Sequence, residues 1–195
     1  MKRWLFFILV LAAAWYWWPH GQIAREPGAL SSGAPLQTAV DGTVPTLVKA
    51  GYQIQALARF ELEARVLGVE HYRFDRGAEL SPVDLALGWG RMSDSAVLDR
   101  ITISQGGRAY FWRAPQYPIP RQEIETSSAN MHLVPANEAV ARRLADVRRG
   151  HVVRLGGYLI EARAADGWRW RSSLTRTDTG NGACELIWVE RLELR

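Results

Sequence analysis

The chain has 195 residues, 48% of them hydrophobic and 23% charged, which suits one folded domain with modest extensions and leaves little room for a second. Its formal net charge is +4, of which Lys2 and Arg3 supply two, so the remaining +2 is uninformative about partners. A single cysteine excludes an intramolecular disulfide and a cysteine-based metal site, and the basic residues are 22 Arg against 2 Lys.

The first segment, 1–18, begins with two cations and runs from Trp4 to Trp18 without a charged side chain. It reads as a single transmembrane helix, with Trp15, Tyr16, Trp17 and Trp18 as an interfacial belt and the cations at the inner edge. A cleaved signal segment is the alternative, because fifteen helical residues reach only about 22 Å. Either way the remainder is expected outside a bacterial inner membrane. Residues 19–45 hold four prolines and four glycines and read as a flexible linker. Residues 46–195 read as one exported α+β domain.

Within that domain "ARFELEARVL" alternates Ala58, Phe60, Leu62, Ala64 and Val66 with charged residues, a strand with one dry face. "LSPVDLALGWG" reads as a helix capped by Ser81, opened by Pro82 and stopped by Gly88 and Gly90. "DSAVLDRI" starts another short helix. "ITISQGGRAYFW" reads as a hairpin turning at Gly106-Gly107. A better-defined helix follows in "PANEAVARRLADVRRG", where Val140, Leu144 and Val147 form one stripe, Asn137 caps and Gly150 ends the element. "VVRLGGYLIEA", an Asp166-Gly167 turn, "WRWRSSL" and "CELIWVERLEL" complete a small antiparallel β-sheet in the C-terminal half.

The segments "SANMHLVPANEAV", "VRLGGYLIEA" and "SSLTRTDTGNGACELIWVE" resemble an uncharacterised family of bacterial proteins with an N-terminal membrane segment, over roughly residues 52 to 192. That resemblance implies an architecture and a compartment, and no activity. The order of elements also resembles a partial oligonucleotide/oligosaccharide-binding (OB-like) barrel, which by itself licenses no function.

Four features carry candidate chemistry. Asp178-Thr179-Gly180 matches the aspartic-protease tripeptide, yet follows the polar Thr175-Arg176-Thr177 and reads as a turn. Cys184 shares a strand face with Leu186 and Trp188 and reads as a core thiol, with Glu185 on the opposite face. Asn130 and His132, two apart in an extended stretch, face the same way, and the histidines at 20, 71, 132 and 151 show no metal-ligand spacing. Finally, residues 142–176 hold nine arginines against three acids, whereas residues 57–99 hold five arginines against eight acids. In "WRWR", Arg169 and Arg171 take one strand face and Trp168 and Trp170 the other.

The expected function is a membrane-anchored binding or scaffolding module with a basic surface for an acidic partner, be it lipid, glycan or protein. Its binding residues are Asn130, His132, Arg169, Arg171 and Arg176. Nucleic acid is not the expected partner, and no cofactor or metal is called for. The alternative is an envelope hydrolase or transferase using His132, Arg176 and Asp178 as its catalytic residues.

Overall fold

The computed structural model describes residues 21–31, 33–42, 46–175 and 184–195. Its strands are β1 (Leu36–Thr38), β2 (Leu47–Lys49), β3 (Tyr52–His71), β4 (Val83–Gly88), β5 (Thr102–Gly106), β6 (Ala109–Arg113), β7 (Ser128–Pro135), β8 (Val152–Arg163), β9 (Arg169–Arg171) and β10 (Glu185–Leu194). Three short helices join them: α1 (Ser95–Leu98), α2 (Arg121–Thr126) and α3 (Glu138–Ala145).

The pairings close on themselves. β3 pairs with β4, β4 with β7, β7 with β10, β10 with β8, and β8 again with β3, so five strands form a barrel. All of these pairs are antiparallel except β7 with β10. β3 is long enough to serve two neighbours, β8 along residues 53–65 and β4 along residues 65–71. Irregularities at Ala56/Ala58 and Val66/Gly68 let it bend between them. Alternate residues of the ring point inward: Phe60, Leu62, Leu85, Met131, Leu155 and Ile187 belong to one buried cluster, and α3 adds Val140 and Leu144 to it. The opposite faces of the same strands carry a second cluster around Tyr52, Leu80, Ile160, Leu186 and Trp188. A third lies beneath the excursion between β4 and β7, around Met92, Leu98, Ile119 and Ile124.

Several expectations are corrected. The domain is mostly β, 46% strand and 13% helix, and not α+β. The sheet is not confined to the C-terminal half, since β3, β4 and β7 supply three of the five barrel strands. "VDLALG" is β4 and not a helix. Leu85 and Leu87 face the interior between β3 and β7, and this pairing on both edges overrides the local Ser-Pro start signal. Among the described residues no helix is long and apolar enough to cross a membrane, the longest being the eight residues of α3. Segment 1–18, which carried that expectation, lies outside the described residues. The described part of the Pro/Gly-rich stretch lies against the domain: Ile23 donates its N–H to the carbonyl of Arg149, the Arg25 guanidinium donates to the carbonyls of Gly150 and Arg195, and β1 pairs with β3.

Candidate functional site

On the outer face of β4 and β7, register places Asp84 opposite His132 and Ala86 opposite Asn130. Because Leu85, Met131 and Leu133 turn inward, Asp84, Asn130 and His132 turn outward together. All three are nonetheless buried, because the β5–β6 hairpin and Trp170 of β9 cover them. The expected pairing of Asn130 with His132 on one face is present. The carboxylate that ties them together, Asp84, is absent from the sequence reading.

The hairpin's contribution is Arg108. Gly107 and Arg108 both have positive φ, 59° and 67°, as a tight two-residue turn demands, so the turn sits one residue later than Gly106-Gly107. That conformation aims the Arg108 guanidinium inward. Nη1 donates to Asp84 Oδ1 at 2.9 Å and to the Ser81 carbonyl at 2.8 Å, while Nη2 donates to both oxygens of Asp75. The guanidinium carbon stands 3.7 Å from the Tyr72 ring centroid, and burial holds the Tyr72 phenol above its ordinary pKa. Asp84 Oδ2 accepts from Asn130 Nδ2 at 3.3 Å, and Asn130 Oδ1 accepts from Gln105 at 2.9 Å. His132 Nδ1 is 2.9 Å from Asp84 Oδ2 but out of line for a hydrogen bond. The imidazole lies under Trp170, ring centroids 4.7 Å apart, and Trp170 continues through Trp168 to Tyr52. Cys184, expected in the core, is half-buried, with Sγ 3.9 Å from the Arg108 carbonyl.

Trp170 belongs to β9, whose other face carries Arg169 and Arg171. These two and Arg163 converge on Glu161, which is fully buried: Arg169 Nη2 donates at 2.6 Å, Arg171 Nη1 at 2.7 Å, and Arg163 Nε donates to the other oxygen. Counting outward from the Asp166-Gly167 turn pairs residue 161 with 171 and 163 with 169, so this hub was accessible from the sequence. Arg176 and Asp178 lie outside the described residues. Among those described, no group of His, Cys, Asp and Glu is placed to hold a metal.

Burial pushes the Glu161 carboxyl up, but the hydrogen bonds from Arg171, Arg163 and Arg169 outweigh it and lower its pKa from 4.5 to about 2. A carboxyl held more acidic in the folded chain than in the unfolded one contributes stability that is complete above pH 4.5. That contribution declines as the pH falls from 4.5 toward 2. Urea midpoints measured across this window are expected to fall more steeply for the native chain than for Glu161→Gln. Parallel profiles would show that the hub does not hold the carboxyl ionised.

A scan against protein-family models matched none, and searches of curated proteins and of solved structures returned no match.

Proposed function

We propose that the protein is a binding module that docks an acidic partner along β9. One observation carries the reading: three guanidiniums of Arg163, Arg169 and Arg171 are held in a fixed array by one buried carboxylate while 58, 53 and 44% of each side chain stays exposed. Three positive charges against one negative leave a local +2, and the shared carboxylate restrains side chains that would otherwise lose rotamer freedom on binding. β9 also ends the strand order, so its outer side pairs with no other strand among the described residues.

The test is titration with fluorescent poly-L-glutamate. Binding should weaken as salt rises, because the Debye length is only about 8 Å at physiological ionic strength. Arg169→Gln with Arg171→Gln should weaken it about tenfold, the effect of losing two charge-assisted contacts. Charge reversal at these positions is the wrong design, because new carboxylates would stand beside Glu161. Adding Glu161→Gln to the pair removes the buried charge and controls for stability. Unchanged binding by the double variant would sink the reading.

A second reading, a hydrolase or transferase using His132, rests on the 2.9 Å approach of Nδ1 to Asp84, which would orient an imidazole base only once the ring turns into line for a hydrogen bond. The imidazole is closed off beneath Trp170, so the reading requires Trp170 to move. It would displace the first if His132→Ala stopped a measured ester hydrolysis while the arginine pair proved dispensable.

A further inference from the structure

β3 leaves β8 at Val66, whose N–H still donates to the His151 carbonyl at 2.8 Å and whose carbonyl accepts from Gly150 at 2.9 Å. Beyond that point β3 continues to His71 with β4 along one side only. The Tyr72 N–H donates to the Pro82 carbonyl at 2.9 Å, which assigns the inward-bonding positions to 72, 70 and 68, each opposite its β4 partner. By the same alternation Val69 and His71 direct their N–H and C=O groups away from β4. Those groups have no backbone partner among the described residues.

This unpaired side forms one wall of a groove of about 580 Å³, with Val147, Arg148 and Arg149 opposite and Ile103 of β5 alongside. Ordinary protein edges are blunted by charge, proline or brevity. Past the irregularity at Val66/Gly68 the strand runs on without proline to His71, with Val69 and Val147 lining the groove and exposed Arg148 and Arg149 on its far wall. Together with Arg142 and Arg143 on α3 they set four arginines against Glu70, Glu138 and Asp146 on this flank, Glu70 and Asp146 lining the groove itself, so the positive excess sits on the arginine wall.

We propose that this groove takes an extended acidic peptide of a partner protein, added as a strand beside Leu67–His71. Backbone pairing at Val69 and His71 supplies the register, and the arginine wall selects carboxylates. Five residues of β3 span about 17 Å, so the peptide contributes a segment of that length. This surface is separate from β9 and is supported by different residues.

The probe is an alternating glutamate–valine heptapeptide, titrated against the isotope-labelled chain with amide hydrogen exchange read residue by residue. Saturating peptide should slow exchange of the Val69 and His71 amides about tenfold or more while Glu70 is little changed. Val69→Pro removes an outward N–H without touching the β4 pairing and should weaken binding about tenfold. Should Val69→Pro fail to fold, Arg148→Glu with Arg149→Glu tests the same site from exposed positions and should weaken binding similarly. Arg169→Gln with Arg171→Gln should leave this binding unchanged. Absence of protection at Val69 and His71, protection at another edge, or indifference to the Arg148/Arg149 pair would overturn the proposal. So would concentration-dependent protection without peptide, which would assign the groove to a second copy of the chain.

Discussion

Replacing Asp84 with alanine is expected to lower the unfolding free energy by about 1–3 kcal/mol, the cost of leaving buried polar groups short of a partner. Asp84 is fully buried, and its two oxygens meet Arg108, Asn130 and His132, which come from the hairpin and from β7. Alanine leaves the guanidinium with Asp75 and the Ser81 carbonyl, and leaves Asn130 and His132 without the carboxylate between them. Denaturant unfolding measures the loss. The double change Asp84→Leu with Arg108→Leu should recover much of it, because an apolar pair of similar volume avoids both desolvation penalties. A loss below about 1 kcal/mol for Asp84→Ala would place this cluster among weak surface pairs.

Gly157→Ala is expected to cost about 3 kcal/mol, the upper part of the range for overpacking. Gly157 lies on β8 opposite Phe60 on one side and Val189 on the other, where β10 departs from regular register. A Cβ there would stand 1.9 Å from the Trp188 carbonyl oxygen and 3.0 Å from its carbon, so backbone must move. The adjacent Gly156 is the control. Its added Cβ would meet the Arg191 guanidinium at 2.7 Å, and that flexible side chain can swing aside. Gly156→Ala should therefore cost less than about 1 kcal/mol, and equal losses for the two would show that the close approach at Trp188 is not what requires glycine.

The strands and helices that were legible carry their period within one segment. Alternation from Ala58 to Val66 marks β3, though its true ends, Tyr52 and His71, come from neighbours that the segment itself does not encode. Asn137 and the stripe of Val140 and Leu144 mark α3: the Asn137 side chain accepts from the Val140 N–H, and both apolar residues are buried. "VDLALG" is too short to separate the two periods, and Ser81-Pro82 tips it toward helix until pairing on both sides makes it β4. The candidate site divides in the same way. That Asn130 and His132 share a face follows from alternation, but their dependence on Asp84 and Arg108 comes from cross-strand register and from a left-handed turn residue. The arginine count identified a basic stretch without revealing that Glu161 gathers three of its members, which needs the β8–β9 turn read as a register rule.

β10 follows the other described strands in sequence, yet it lies between β7 and β8 and not at an end of the order. The ring therefore has no stable precursor made only of earlier strands. Until residues 185–194 arrive during synthesis, β7 and β8 each wait with a vacant side, and β3 meets β8 only across about ninety intervening residues. Closure is the slow kind of folding step, with long loops to shut before native contacts compensate. A nascent chain halted before Glu185 would be sticky along two strands at once, so the stretch of translation just before residues 185–194 emerge is when this ring most needs a chaperone's shelter.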